Sequence, residues 1–246
     1  MMYRVSVTGI ILIIILSACS GGTQSANQGE DGLLHIVATT SIVGDVVSQI
    51  GGDKIVLTVL LPPGTDPHGF QPTPQDMAYV ADADIIFFNG AGLETFMQVL
   101  IDNSGTQALQ IEVSDGISLI EAELHDDHGD EDPGNDEESS EGDHIGDPHV
   151  WMDPNNVLLW VDRIEQTLIE IDSKNASFFQ QSATVYRQEL INLDQWIREQ
   201  VSQIPLENRE LVTDHRLFAY FAQRYGFKQI GAIVPGYSSL SEPSRS

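Results

Sequence analysis

Apolar and polar residues alternate in two rhythms along the first half of the chain. Short runs rich in branched apolar residues predict strands, and each run is followed by a stretch whose apolar positions recur at helical spacing. The predicted strands span residues 33–38, 55–61, 84–89 and 108–113. The predicted helices span 41–50, with Ser41 as cap, a segment that begins at Thr73-Pro74, and 93–102. This alternation predicts βαβ units and a parallel sheet.

Two long helical patterns and a shorter strand–helix–strand pattern make up the second half. Asp153-Pro154 is typical of a helix start, and the apolar positions after it recur with a period of 3.6 residues: Val157, Val161, Ile164, Leu168 and Ile171. A second helix covers about 175–204, and the predicted strand 210–213, helix 217–225 and strand 228–233 follow. The sequence therefore predicts an α/β protein with two βα lobes whose parallel sheets are joined by a long connecting helix. With only two strands visible, we expect the second lobe to be incomplete in this chain.

The first 19 residues have the layout of a secretory signal. Arg4 precedes an apolar run of about 12 residues, which is too short for a bilayer core that requires roughly 20. Leu16-Ser17-Ala18-Cys19 follows and resembles the bacterial lipobox, and Cys19 is the only cysteine. We therefore expect residues 1–19 to be a lipoprotein signal peptide and Cys19 to carry the lipid that anchors the chain to a membrane. Residues 20–32 are small and polar, which is typical of a flexible tether.

The formal net charge of −26 excludes a basic, phosphate-binding surface. Such a chain is repelled by nucleic acid and attracts cations, so no nucleic acid partner is expected. Much of the charge lies in residues 121–147, which contain many Asp and Glu residues, three histidines, and no Lys, Arg or aromatic residue. This composition predicts an acidic, His-containing loop that cannot bury a core.

Three of the seven histidines stand where predicted elements meet. His68 follows the second predicted strand, His149 precedes a helix, and His215 lies between a strand and a helix; the first two share the triplet Asp-Pro-His. Ligands of open α/β sheets bind beyond the carboxyl ends of strands, and imidazole nitrogens suit zinc. Each histidine alone would fit an ordinary surface or capping residue, but together they predict a metal site.

Neighbouring polar residues allow two interpretations each. The histidines of the acidic loop could capture zinc weakly and raise its concentration near His149, or the loop could be a solvated spacer; these residues are His125, His128 and His144. The carboxylates beside the three junction histidines could orient an imidazole through its other nitrogen, or serve as turn and cap residues: Asp66, Asp147 and Asp214.

Three motifs resemble the metal-specific solute-binding lipoproteins of bacterial ABC transporters, a family of zinc and manganese receptors that includes adhesin-like proteins. They are residues 61–76 (LPPGTDPHGFQPTPQD), 147–154 (DPHVWMDP) and 213–227 (TDHRLFAYFAQRYGF), and the resemblance covers the chain from about residue 35 to its end. It implies that His68, His149 and His215 are metal ligands. The family's fourth ligand, a carboxylate or occasionally water, has no match, and we expect it to lie beyond Ser246.

The resemblance also implies a division of the chain. Residues 33–152 would form the N-terminal metal-binding lobe, 153–205 a helical connector, and 206–246 the start of a C-terminal lobe that is truncated here. The implied protein is an extracytoplasmic receptor, lipid-anchored to the cell membrane in the periplasm or on the outer face of the cytoplasmic membrane. It would be a monomer that delivers metal to an ABC permease and is not an enzyme.

The metal follows from the ligand set. Manganese-type members tend to carry glutamate where this chain has His215, and carboxylate-rich sites suit the harder manganese ion, so we expect Zn²⁺, with Mn²⁺ as the alternative. A zinc metallohydrolase is the alternative from another class, since three histidines and an open position also describe catalytic zinc. Against it, the chain has no His-Glu-x-x-His helix and no glutamate next to a ligand. Cell adhesion, credited to some relatives, is neither supported nor opposed by the residues.

Overall fold

The computed structural model describes residues 32–121 and 146–234. Its first sheet has four strands, all paired in parallel, in the order β2-β1-β3-β4. The strands are β1 (Leu34–Thr40), β2 (Ile55–Leu61), β3 (Ile85–Phe88) and β4 (Leu109–Glu112). A second, two-stranded parallel sheet pairs β5 (Glu210–Thr213) with β6 (Lys228–Ala232). The α/β class with parallel sheets is confirmed.

Helices cover both faces of the first sheet, as a parallel sheet requires. The connecting helices are α1 (Ser41–Gly51), α2 (Pro74–Ala81) and α3 (Met97–Ser104). Residues 34, 36 and 38 of β1 belong to one core cluster together with α1, whereas Val37 belongs to a second cluster with Val80 of α2 and Leu100 of α3. This alternation of side chains along β1 separates the two layers of the core.

The long helices of the second half of the chain pack into the core cluster that contains α1. They are α4 (Pro154–Ile171) and α5 (Ala176–Ser202), followed by the shorter α6 (Ala219–Tyr225) between β5 and β6. Four of the five apolar positions expected on α4 are buried in the cluster with β1 and α1, and Ile171 packs at its edge. Phe179, Ala183 and Leu190 of α5 lie in the same cluster. The sequence period of 3.6 residues thus identified the packed face of α4 correctly.

Two local predictions were wrong. Thr40, not Ser41, caps α1: its hydroxyl accepts a hydrogen bond from the N–H of Val43 at 3.2 Å. The third helix begins at Met97 rather than at residue 93, because Glu94 folds back and accepts hydrogen bonds from the backbone N–H groups of Asn89 and Gly90. Its side chain therefore closes a turn at the end of β3 instead of continuing a helix.

Several expectations concern residues outside the described ranges. These are the signal peptide with Cys19, the tether, the acidic loop with His125, His128 and His144, and the residues after 234. Within the described ranges, no helix has both the length and the apolar character needed to cross a membrane.

Candidate metal centre

His68 lies on the loop that follows β2. Asp66 accepts a hydrogen bond from the backbone N–H of His68 at 2.9 Å and so caps the short 3-10 turn Pro67–Gly69. Pro67 occupies the first position of this turn, where its missing N–H costs nothing. The local sequence therefore fixes the backbone that carries the His68 ring.

His149 is held by the carboxylate two residues before it. Oδ1 of Asp147 accepts from the His149 backbone N–H at 2.9 Å and lies 2.7 Å from Nδ1 of the ring. Asp147 is fully buried and His149 is 3% exposed. An Nδ1–H that donates to Asp147 puts the ring's lone pair on Nε2, which is the nitrogen that a metal would take.

His215 follows β5, at the carboxyl end of the second sheet. Asp214 accepts from the backbone N–H of His215 at 2.9 Å, and its Oδ1 lies 3.3 Å from Nδ1 of the ring. Asp214 is exposed, unlike Asp147. The Thr213 hydroxyl donates to the His215 carbonyl at 2.7 Å and fixes the turn out of the strand.

The fold brings the three rings into one cluster. The centroid of His149 lies 5.6 Å from that of His68 and 5.5 Å from that of His215. A zinc ion roughly 2.0–2.1 Å from each imidazole nitrogen would lie about 3.2 Å from each centroid, and tetrahedral angles would then separate the centroids by about 5.2 Å. The observed spacing is wider than this by a few tenths of an ångström.

The cluster is not a closed coordination sphere. Among residues 32–121 and 146–234, no group of three or more His, Cys, Asp or Glu side chains can hold a metal ion as it stands. The two centroid distances are nevertheless close to those of a shared zinc ion, and changes of side-chain rotamer are common when a site binds its ligand.

His68 has an unsatisfied nitrogen at this cluster. Its Nε2 is buried and has no hydrogen-bond partner in the described part of the chain. Burial lowers the pKa of His68 from the usual 6.5, and the nearby His149 lowers it further, while Asp66 acts in the opposite direction. The lowered pKa favours the neutral ring, and neutral imidazole is the form that binds a metal ion.

Behind His149 lie an aromatic side chain that is close in sequence and two polar side chains that are far away along the chain. The indole of Trp151 packs edge-on against the His149 ring at 5.3 Å between centroids. The Tyr220 hydroxyl donates to the Asp147 carbonyl at 2.7 Å, and Nδ2 of Asn89 donates to the Pro148 carbonyl at 3.1 Å. Tyr220 stands inside the motif 213–227, but no spacing in the sequence connects it with a residue so far away along the chain.

The parallel sheets, the long helices and the clustered imidazoles define a class, α/β proteins with a candidate binding site for a metal ion. Comparison of sequences then gives the family. Residues 36–246 match the family model ZnuA, described as "Zinc-uptake complex component A periplasmic", and the chain belongs to this family.

Two curated relatives illustrate the match. The manganese-binding lipoprotein MntA of Halalkalibacterium halodurans is 35% identical over 231 residues, which cover 94% of this chain and 71% of that protein. The manganese ABC transporter substrate-binding lipoprotein PsaA of Streptococcus pneumoniae is 33% identical over 223 residues, which cover 88% of this chain and 66% of that protein. The chain thus spans roughly seven tenths of the length of such relatives.

Solved structures agree on the fold. The periplasmic zinc-binding protein TroA of Treponema pallidum superposes with a TM-score of 0.70 at 31% identity, covering 86% of this chain and 70% of that one. A manganese-bound periplasmic metal-binding protein of Candidatus Liberibacter asiaticus gives 0.68 at 25% identity, covering 85% and 71%. Relatives named for zinc and for manganese both match, so metal binding is common to them and the choice of zinc stays a prediction.

Proposed function

We propose that this chain is an extracytoplasmic zinc receptor, anchored through a lipid on Cys19, that delivers Zn²⁺ to the permease of an ABC transporter for import. The observation that supports it is the cluster of His68, His149 and His215. The three rings come from three separate loops, and two of those loops leave the carboxyl ends of parallel strands, where α/β proteins bind their ligands.

Zinc is favoured by the donor atoms. Three imidazoles form a nitrogen-rich set of ligands, and zinc binds such ligands in a tetrahedron that a fourth donor or water completes. The buried carboxylate of Asp147 orients the His149 ring, and histidines that bind zinc are commonly oriented by a carboxylate in this way. We propose that the fourth ligand is a carboxylate or a water molecule.

Manganese is the second candidate cargo, and the names of MntA and PsaA favour it. On chemistry alone, Mn²⁺ prefers oxygen donors and binds a given nitrogen site more weakly than Zn²⁺ does. The relatives therefore argue for manganese and the imidazole cluster for zinc. A metallohydrolase is disfavoured because Asp147 and Asp214, the carboxylates beside the rings, contact those rings or their backbone and are poorly placed to activate water.

Titration calorimetry of the purified chain with Zn²⁺ and Mn²⁺ tests the proposal. We expect Zn²⁺ to bind more tightly than Mn²⁺. Each of His68→Ala, His149→Ala and His215→Ala should weaken zinc binding by at least about 100-fold, more than the 10–100-fold typical of losing a residue that orients a ligand. His215→Glu should shift the preference toward Mn²⁺. His35→Gln is the matched control, because His35 lies within β1. Tighter binding of Mn²⁺ by the unaltered chain would establish the manganese alternative, and binding that all three alanine variants retain would exclude this site.

A further inference from the structure

We propose that Tyr220 and Asn89 are positioning residues that hold the His149 loop from two separate elements of the fold. The spacing of His149 and His215, and with it metal affinity, would then depend on the contact between α6 and the first lobe. This inference rests on the proposed function, because it concerns the same three imidazoles. It assigns no new ligand. It identifies the two side chains that fix the backbone on which the middle ligand stands.

The two carbonyls before His149 are each bound by a distant side chain. The Tyr220 hydroxyl donates to the Asp147 carbonyl at 2.7 Å, across 73 positions of sequence. Nδ2 of Asn89 donates to the Pro148 carbonyl at 3.1 Å, across 59 positions. The Asp147 carboxylate in turn contacts the backbone N–H and the ring of His149, so hydrogen bonds fix both the backbone before the histidine and the imidazole itself. A loop held in this way has little freedom to move its imidazole.

The Tyr220 hydroxyl also contacts the residues on either side of the acidic segment. Its oxygen accepts from the backbone N–H of Ile120 at 3.1 Å, and the Asp147 N–H donates to the Ile120 carbonyl at 2.8 Å. Ile120 and Asp147 stand where the chain enters and leaves that segment. One buried hydroxyl, on a side chain only 4% exposed, thus fixes both ends of the segment beside His149.

Asn89 provides the second support of the loop. It is fully buried at the end of β3, and its backbone N–H donates to Oε1 of Glu94 at 2.8 Å. The same oxygen accepts from the Thr39 hydroxyl at 2.6 Å, and Oε2 accepts from the Gly90 N–H at 3.0 Å. Burial raises the pKa of Glu94, against the lowering effect of these hydrogen bonds. The network joins β1 and β3 and places the amide of Asn89 against Pro148.

Tyr220 links two metal ligands because of where it stands. It lies on α6, which follows His215 by only a few residues, while its hydroxyl contacts the loop of His149. A displacement of α6 would therefore break this hydrogen bond and change the distance between the His149 and His215 rings together. Partners that orient metal-bound residues typically change metal affinity by 10–100-fold when removed.

Tyr220→Phe tests the inference, with Tyr225→Phe as the matched control. Tyr225 lies on the same helix, is 5% exposed, and donates its hydroxyl to Asp194 at 2.9 Å, away from the His149 loop. We expect Tyr220→Phe to raise the zinc dissociation constant about 10-fold and to alter the visible d–d spectrum of the Co²⁺-loaded protein, and Tyr225→Phe to change the constant less than about twofold. Equal effects of the two variants would overturn the inference.

Testing Tyr220→Phe in a chain that lacks His149 distinguishes an effect on ligand position from an effect on general stability. In a His149→Ala chain, adding Tyr220→Phe should leave the residual zinc affinity unchanged within about twofold, because its effect passes through His149. An undiminished effect in that background would overturn the assignment. If Tyr220→Phe does not fold, Asn89→Ala makes the same test at the second support, and unchanged zinc affinity would contradict it. Absence of zinc binding by the unaltered chain would instead refute the proposed function.

Discussion

Oδ1 of Asp147 lies 2.7 Å from Nδ1 of His149, and both residues are almost completely shielded from solvent. In a buried pair of this kind the carboxylate sets the tautomer and the direction of the ring. The corresponding pair at His215 is longer, 3.3 Å, and its carboxylate on Asp214 is 70% exposed. Both aspartates therefore contact a nearby histidine, but they differ in how strongly they orient its ring.

From this difference we expect Asp147→Ala to raise the zinc dissociation constant by about 10–100-fold, the range for losing an outer partner of a ligand histidine. Asp214→Ala should change it less than about threefold, because water can replace an exposed carboxylate. Competition against a chromophoric chelator at pH 7.5 measures both. Equal losses in the two variants would show that burial does not determine the effect.

The stability of the metal-free chain should depend on pH through His68. The pKa of His68 is lowered by burial, so as the pH falls the unfolded chain takes up this proton first. The contribution of the neutral ring is therefore complete above about pH 6.5 and declines as the pH falls below it. Urea unfolding at pH 7.5 and 5.5 should show a larger loss of unfolding free energy for the unaltered chain than for His68→Gln. Equal losses would mean that His68 titrates normally in the fold.

Local chemistry made much of the fold predictable. Strands β2 and β5 begin and end at the residues that their apolar runs indicate, and Thr73 caps α2 in a capping box with Asp76. Each of these features depends on residues within a few positions of one another. The start of α3 could not be found in this way, because Glu94 lies in a helical pattern but uses its side chain to bind the end of β3.

The candidate site also has features that depend on neighbouring residues and features that depend on distant ones. His68 and His149 could be recognised because each carries its orienting aspartate two residues before it, which is a local signature. Their convergence with His215 depends on how two sheets are placed, and the supports from Tyr220 and Asn89 join residues 73 and 59 positions away. Periodicity and spacing contain no information about such long-range bonds.

Gly90 and Gly105 both have positive φ, of 79° and 64°, but differ in what surrounds them. A Cβ on Gly90 would come within 2.1 Å of the Glu112 side chain, whereas one on Gly105 would meet nothing within 4 Å. Alanine at Gly105 should cost about 1 kcal/mol, from left-handed backbone alone. Alanine at Gly90 must also displace the Glu112 side chain, which accepts a hydrogen bond from the Ala91 N–H at 2.9 Å. We therefore expect this substitution to lower the free energy of unfolding by about 3 kcal/mol.

Equilibrium unfolding in urea measures both glycine variants. The difference between them isolates the Glu112 contact, since the backbone strain is shared. Equal destabilisation would show that Glu112 finds another position without cost.

Asp194 of α5 binds two side chains of α6, Arg224 and Tyr225, and one of its own helix, Arg198. It accepts from Arg224 at 2.7 Å, from the Tyr225 hydroxyl at 2.9 Å and from Arg198 at 3.1 Å, and these contacts, that of Arg224 foremost, lower its pKa to about 2. The unfolded chain binds this proton first, near the usual 3.8, so the stabilisation is present above about pH 4 and is lost as the pH falls toward 2. Asp194→Asn should therefore lower the free energy of unfolding by about 2 kcal/mol at pH 7 and by progressively less below pH 4.

The matched variant for Asp194 is Asp115→Asn, which removes an ion pair of 3.0 Å with Arg163 in which the carboxylate is 66% exposed. Exposed pairs of this kind contribute about 0–1 kcal/mol, so this change should cost less than about 0.5 kcal/mol at pH 7. Urea unfolding of both variants and of the unaltered chain between pH 7 and 2.5 gives the comparison. A destabilisation by Asp194→Asn that is the same at pH 2.5 as at pH 7 would contradict the lowered pKa on which this expectation depends.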